Sequence, residues 1–391
     1  MKKILTLCAL GILLGSTMVV AQGKFSGYMF GDYYDNLARD ANFGSLKNVA
    51  SPSGPVGYTA FQFRRIYFAY DNDISEQFTT RFRLEADQVQ ETVDQTKSFT
   101  TSIPASSATI DTVSWKAAVP AGTGNVSNQA SKISVFVKDA YLRWKNVFSG
   151  SDVIFGIQPT PAYEVSEAAW GYRSLEKTIM DLRGIVPSRD QGISLKGAIT
   201  RSGTIQYWVM VANGSANSPE TDLFKRYYAH LQVKPSTNFQ ATLYADYKDA
   251  AGVAAGANGT WTTAFFAGYA VPFTYSVNIE AFMTSQSNKF IPTGGSLGSL
   301  KGLGYSLYGT YNILPELTAI ARYDYWDPNT DSAPNAKGDV RNYIIAGVSW
   351  KVDKNVQIMP NLLYETYENP VGGATPDASV TGRLTLYYVF L

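Results

Sequence analysis

Residues Tyr58 to Gln88 read YTAFQFRRIYFAYDNDISEQFTTRFRLEADQ: two alternating runs joined by a polar turn at Asn72-Asp73-Ile74-Ser75. In the second run Phe78, Thr80, Phe82, Leu84 and Ala86 share one face, and Thr79, Arg81, Arg83, Glu85 and Asp87 the other. A period of two signals β-strand, because successive side chains point to opposite faces. Each run exceeds the usual strand of about five or six residues and matches the roughly 9–11 residues of a tilted strand crossing a bilayer. A soluble sandwich sends the polar row to water. A membrane barrel sends the apolar row to lipid and the charged row into a wet lumen. The hairpin fits both, and the rest of the chain decides.

Outward from this hairpin, connections alternate in length. Short turns are expected at 72–75, 149–151, 201–203, 235–237, 271–273, 314–316 and 353–354, each between alternating runs. Between those hairpins lie long segments, including Ser51-Pro52-Ser53-Gly54-Pro55, a Ser/Thr-rich stretch over 89–132, the loop 159–188 and a Gly/Ala-rich loop ending at Gly259. About 16 strands result, and an even antiparallel set with short turns at one rim and long loops at the other is what a closed membrane barrel requires. Closure removes unpaired strand edges, which lipid penalises by several kcal/mol per group. The expected fold is therefore all-β: a transmembrane antiparallel up-and-down β-barrel with short periplasmic turns and long extracellular loops. Ile279, Ala281 and Met283 should face lipid while Asn278, Glu280 and Phe282 face inward; Leu384, Leu386, Tyr388 and Phe390 repeat the pattern against Arg383, Thr385 and Tyr387. Trp144, Trp261, Trp326 and Trp350 stand near strand ends, where interfacial aromatic girdles belong.

The amino terminus has the form of a secretory signal: Lys2 and Lys3, the apolar run Ile4–Leu14, and small residues before Gln22. We expect residues 1–21 to be removed and 22–391 to form one barrel in the outer membrane of a Gram-negative-type bacterium, bathed in lipid. The single cysteine, Cys8, falls in the signal, which leaves no disulfide framework and no thiol metal site in the mature chain. Of 33 Lys+Arg, two are in the signal, so 31 basic residues face 32 acidic ones. That balance gives no support to nucleic-acid binding. Beyond the signal no apolar run approaches the roughly 18 residues of a helical span, whereas aromatic residues make up 14% of the chain, 26 of them tyrosine.

Five segments in order carry a resemblance: Arg64-Arg65, Arg81-Phe82-Arg83-Leu84-Glu85, Val137-Lys138-Asp139-Ala140-Tyr141, Phe155-Gly156-Ile157-Gln158-Pro159 and Arg189-Asp190-Gln191-Gly192-Ile193. Over most of its amino-terminal half the chain resembles the phosphate-selective porin O and P family; the carboxy-terminal half shares only the strand rhythm. The resemblance implies a sixteen-stranded barrel, usually a homotrimer, whose third long loop folds inward as a constriction. It also implies passive diffusion of small hydrophilic solutes or inorganic anions, without a cofactor. Arg64 and Arg65 match the family's arginine ladder, with Arg81 and Arg83 as neighbours. Glu85 and Asp87 share their face, Asp139 precedes Tyr141 and Arg143, and Asp324 accompanies Arg322, so the expectation is weak ion selectivity. The chain also departs from the aromatic terminus common in such barrels, ending Phe390-Leu391.

The candidate pore-lining residues are Arg64, Arg65, Arg81, Arg83, Glu85, Asp87, Asp139, Tyr141, Arg143, Lys196, Arg322 and Asp324. Arginine forks suit phosphate and carboxylate solutes, but the same side chains serve equally to brace the wall by pairing with Glu85 and Asp87. Parity sends Arg64 and Arg65 to opposite faces, which requires a rim position, a bulge or a snorkelling side chain. The loop 159–188 carries Glu164, Glu167, Trp170, Arg173, Glu176 and Lys177, and its apolar spacing predicts a short helix. As a constriction it would set acids opposite the wall arginines in a transverse field; otherwise it is a surface loop. His230, the lone histidine, would be the base of a barrel esterase, yet no nucleophile stands near it in sequence. The same strand pattern would also serve an anion-selective channel or a non-conducting adhesive barrel. Asp71-Asn72-Asp73 and Asp327-Pro328-Asn329-Thr330-Asp331 resemble pieces of calcium loops but lack the glycine and distal glutamate, and read as turns.

Overall fold

The computed structural model describes residues 23–41, 43–46, 49–87, 133–249, 259–290, 298–330, 340–368 and 375–391; the signal segment and the Ser/Thr-rich stretch 89–132 lie outside them. Sixteen strands form: β1 Lys24–Ala38, β2 Thr59–Asp73, β3 Phe78–Asp87, β4 Ser134–Phe148, β5 Ser151–Pro159, β6 Arg189–Ala198, β7 Ile205–Ala212 and β8 Arg226–Val233. They continue as β9 Phe239–Lys248, β10 Thr260–Val271, β11 Tyr275–Phe290, β12 Gly298–Leu314, β13 Leu317–Asp327, β14 Arg341–Asp353, β15 Val356–Tyr367 and β16 Ser379–Val389. Each pairs antiparallel with its neighbours in the chain, and β1 closes the cylinder against β16. Two short helices, α1 Glu164–Trp170 and α2 Ile179–Leu182, lie in the connection between β5 and β6. Short turns and long connections alternate around the barrel, as the spacing of the runs required.

The first hairpin turns at 74–77, two residues later than expected, because Asp71 stays in the ladder opposite Arg81 and pairs with it at 2.6 Å. The Asp71-Asn72-Asp73 segment is thus strand, while the Asp327 carboxylate accepts the Asn329 amide at 2.9 Å, as a turn former does.

Two bulges decide what faces inward. Between β1 and β2 the register passes from Phe30↔Arg65 to Gly31↔Phe63, leaving Arg64 as the extra residue. Between β3 and β4 it passes from Arg83↔Asp139 to Leu84↔Val137, leaving Lys138 extra. A bulge resets alternation by one residue, so the adjacent pairs Arg64-Arg65 and Lys138-Asp139 both point into the barrel. The bulge draws the Gln62 carbonyl to 2.7 Å from where a Cβ on Gly31 would stand, so position 31 excludes a side chain.

The outer face is apolar, with Phe61, Phe155, Ile193, Leu243, Met283, Leu307 and Leu384 among its exposed side chains. Tyr247 with Trp261 and Tyr305 with Tyr325 pair near the long-loop rim, and Phe78 with Trp144 and Tyr269 with Tyr275 near the short-turn rim. From Trp261 to Tyr269 on β10 is eight positions, about 26 Å along a strand; tilted by roughly 40°, that spans about 20 Å, most of the ~25 Å apolar band of such barrels. Trp326 corrects the sequence expectation. Its side chain is buried inside the barrel and its ring lies 5.3 Å from that of Phe282, because inward residues near this rim have a loop to pack against.

The bulge yields a first prediction. Gly31→Ala forces the Gln62 carbonyl away and should cost about 1–3 kcal/mol, the usual penalty of overpacking. The expected readout is a lower temperature for losing the folded band on unheated gels, and an unchanged transition would show that the bulge tolerates a Cβ.

Candidate functional site

The segment 160–188 has a composition that drives it inward. Ala162, Tyr163, Trp170, Leu175, Ile179, Met180 and Val186 are all buried. They pack on inward side chains of the wall: Met210, Tyr228, Tyr244, Phe282 and Trp326 in one cluster, and Phe266, Tyr308, Ile320 and Met359 in another. Those partners come from β7 through β13 and from β15. The same segment also reaches β2 and β16, since Arg64 donates to the Ser174 and Leu175 carbonyls at 2.7 and 2.8 Å and Arg383 to the Leu175 carbonyl at 2.6 Å. A connection that touches the wall on so many sides lies inside the cylinder.

Helix α1 ends at Gly171, whose φ of 68° lets its amide turn back to the Glu167 carbonyl. The chain then crosses the lumen, with Trp170 Nε1 donating to the Glu176 carbonyl at 2.8 Å. Each fully buried large apolar side chain contributes about 1.5–3 kcal/mol, whereas an exposed ion pair contributes about 0–1. The apolar face therefore holds the loop in place, and its polar contacts fix its orientation. A further clamp stands at Glu365 on β15, which accepts hydrogen bonds from Arg183 of this loop at 3.2 Å and from the Ala50 and Ser51 amides of the first loop at about 3 Å.

Charges on the loop are tuned by their surroundings. Burial alone would raise the Glu176 carboxyl, but Arg64 and Arg383 beside it hold it below the ordinary carboxylate range. Asp181 follows the same logic, with Arg173 and Lys177 overcoming its burial. Burial lowers the Lys177 ammonium against the pull of Asp181.

Two cavities of the lumen lie along β1–β3, with residues of β5, β6, β15 and β16 at the edge of the larger one. A cavity of about 480 Å³ is bordered by Tyr28, Phe30, Arg83, Tyr163, Arg173 and Tyr387, and a second of about 230 Å³ by Phe30, Gln62, Arg65, Asp87, Arg173 and Lys177. Phe30 and Arg173 border both. Around them the ion pairs are layered. Arg65 lies 2.6 Å from Glu85, yet the arginine side chain keeps 15% exposure and the acid none; Arg83 keeps 17% beside a fully covered Asp139. Lys138 pairs with Glu85 at 2.9 Å, Arg189 with Asp139, and Arg173 with Glu167 and Asp181 at 3.1 Å each. At Glu85 and Asp139 the cation reaches water and the carboxylate sits behind it.

The residues singled out in the sequence are distributed unevenly over this lumen. Arg65, Arg81, Arg83, Arg173, Lys177, Asp87, Glu164 and Glu167 border the two cavities. Arg64 borders the smaller one while donating to the loop backbone. Tyr141 lies on the inward row, opposite Arg81. Arg143 stands near the short-turn rim in a pair with Asp152, and Lys196 binds Glu164 at 3.0 Å. Arg322 and Asp324 pair as parity required, but they lie under the loop, where Arg322 donates to the Lys177 carbonyl; they anchor it rather than border the open lumen. Trp170, 1% exposed and edge-on to Tyr308, is likewise covered, and Glu176 is buried. The loop presents both signs to the wall: Glu176 lies 3.7 Å from Arg64, and Glu164 and Glu167 border the larger cavity with Arg81 and Arg83, while Arg173 and Lys177 border the smaller one with Arg64 and Arg65.

Sequence reasoning missed Lys138, Asp32 and Arg189 as site residues; it set Arg383 and Glu365 inside the barrel without foreseeing that they hold the loops. Two adjacent charges inside an alternating run were the available sign for Lys138. His230 borders a void of about 10 Å³ that it shares with Ser166 and Glu280, and the Ser166 hydroxyl donates to the Tyr163 carbonyl at 3.2 Å. A void of that size holds at most one water, leaving no space for an ester.

No family model matches the sequence, and a search of curated proteins gave no match either. Solved structures do match in fold. The outer membrane channel DcaP of Acinetobacter baumannii superposes with a TM-score of 0.62 at 13% identity, over 96% of this chain and 99% of that one. An anion-selective porin from Comamonas acidovorans gives 0.56 at 12% identity, over 94% and 100%. OmpT of Vibrio cholerae, folded in vitro in its trimer form, gives 0.56 at 9% identity, over 94% and 99%.

Two outcomes follow from the loop's seat. Ile179→Ala removes a fully buried side chain, a change that costs about 2–5 kcal/mol, so the amides of 160–188 should exchange with deuterium faster in the folded barrel; unchanged exchange would mean the loop is held elsewhere. The lowered carboxyls of Glu176 and Asp181 contribute in full above the ordinary carboxylate pKa of about 4 and are lost as pH falls through their depressed values. Amide protection of 160–188, corrected for the intrinsic exchange rate, should therefore stay flat from about pH 8 to 5 and fall only below about 4. A fall near pH 6 would assign the loop's hold to other groups.

Proposed function

We propose that this barrel is a passive porin of a bacterial outer membrane, carrying small hydrophilic solutes and ions through a water-filled lumen that residues 159–188 narrow, and performing no covalent chemistry. The observation that carries this reading is the pair of adjoining polar cavities left between the inner loop and β1–β3, bordered by charged side chains on both sides. A lumen filled only for stability would be closed by apolar packing, as its other half is. The channel and porin named among the structural neighbours support the reading. On this reading the short turns are periplasmic, the long loops extracellular and the signal segment cleaved. A homotrimer is proposed with support from the trimer form of one neighbour.

Selectivity follows from the layered pairs. Nearly every lumenal arginine has a carboxylate partner, which keeps the net charge of the passage small. The cations stand nearer the water, so anions are modestly favoured over cations. A narrower reading, a dedicated anion or phosphate channel like the family the amino-terminal half resembles, is favoured by the smaller cavity, where Arg64, Arg65, Arg173 and Lys177 face one acid, Asp87.

Reversal potential of the refolded protein in a planar bilayer under a KCl gradient tests both. A modest anion preference is expected, and Arg81→Ala with Arg83→Ala should move it toward cations. An unmoved potential removes those arginines from the path. Strong preference with block by inorganic phosphate would establish the narrower reading, and folded protein that gives no steps would overturn the channel.

A further inference from the structure

We infer that the larger cavity is a subsite for planar ring-bearing carboxylates, an inference that rests on the open channel proposed above. Its shape comes from three strands whose inward residues are aromatic at the same level. Tyr28 of β1 has its ring 4.7 Å from that of Tyr67 of β2 and 5.8 Å from that of Tyr387 of β16. The three rings form a continuous shelf along β2, β1 and β16, and Phe30 extends it one inward position further on β1. Tyr28, Phe30 and Tyr387 all border the cavity, and Tyr163 faces it from the loop.

Arginines stand at the edge of this shelf. The Arg83 guanidinium lies 5.6 Å from the Tyr67 ring centroid, and Arg81, Arg173 and Arg189 also border the space. Three of these four are held by acids: Arg81 by Asp71, Arg173 by Glu167 and Asp181, and Arg189 by Asp139. Arg83 differs. Its Nε comes within 3.3 Å of Asp139 but makes no hydrogen bond, and Asp139 is shared with Arg189. Arg83 is thus the fork with donors to spare beside a set of ring faces. The acids that border the cavity are already occupied, Glu164 by Lys196 and Glu167 by Arg173.

The solute follows from this chemistry. An inorganic anion uses the fork but gains nothing from the rings, and a neutral ring compound gains nothing from the fork. A flat acid uses both at once, with its carboxylate on Arg83 and its ring against Tyr28 or Tyr387. A volume near 480 Å³ falls within the roughly 300–1,000 Å³ typical of small-molecule sites. Phe30 and Arg173 border both this cavity and the second one, so the two adjoin. Binding in a conducting path must be weak enough to release, which predicts millimolar block.

The test uses the full-length protein in a planar bilayer, with chloride current measured as sodium benzoate, sodium acetate or benzyl alcohol is added. Benzoate is expected to reduce the current at a concentration at least about tenfold below acetate, with benzyl alcohol inactive. Tyr28→Ala and Arg83→Gln should each raise the blocking concentration of benzoate about three- to tenfold, while Tyr28→Phe, which keeps the ring, retains it. Benzoate blocking no better than acetate, or block unmoved by Tyr28→Ala in a variant that still conducts, overturns the subsite and leaves the porin standing. Absence of chloride steps from folded protein overturns the porin itself.

Discussion

The seam between the apolar face of residues 160–188 and the aromatic half of the inner wall determines where the lumen can be. Tyr163, Ile179 and Met180 sit against Tyr228, Tyr244 and Phe282, and Trp170 and Leu175 against Tyr308, Phe266 and Met359. Burial of that kind is non-directional and large, so it pulls the loop to one side of the cylinder and leaves the other side wet. Charge is what remains on the wet side. The division of the barrel into a packed half and an open half is thus written in which strands carry inward aromatics.

This arrangement explains why part of the molecule is legible in the sequence and part is not. On β16 the inward Arg383 and Thr385 alternate with the lipid-facing Leu384 and Leu386, so one period-two pattern reports both faces. On β10, by contrast, Phe266 points inward and Phe265 outward. Where the loop makes the interior dry, both faces are apolar and alternation carries no contrast. Trp326 escapes the pattern for the same reason: an aromatic near a strand end suits either a girdle or a loop seat, and only the distant loop decides. Parity pairs Arg322 with Asp324 correctly, because parity is local. Their covering by the Lys177 segment depends on contacts more than a hundred residues apart.

The bulges show a middle case. Arg64 and Arg65 violate alternation openly, since neither belongs against lipid, and a bulge was among the ways to resolve them. Lys138 and Asp139 pose the same conflict more quietly, because a lysine at the lipid face can be excused by snorkelling. In the structure both pairs are resolved alike, and the two bulges supply the extra cations, Arg64 and Lys138, that touch the loop backbone at Ser174 and the Glu85 carboxylate respectively. One inserted residue on each strand therefore does what no substitution in a regular strand can: it places two charges side by side on the same face.

That placement bears on how a narrow passage stays both solvated and stable. A bare arginine row would repel itself and a bare carboxylate row likewise, in a space where water screens poorly. Setting the carboxylate behind an arginine, as at Glu85 and Asp139, balances the charge of the buried acid while leaving the guanidinium edge toward the open lumen. The outcome is a wall whose total charge is small but whose inner surface is basic. Charge counting along the sequence gives the first property and misses the second, because depth, not sign, is what distinguishes the partners. At Glu85 and Asp139 depth follows the length of the side chains: the long stems of Arg65 and Arg83 reach past the shorter acids that rise from the same inner wall.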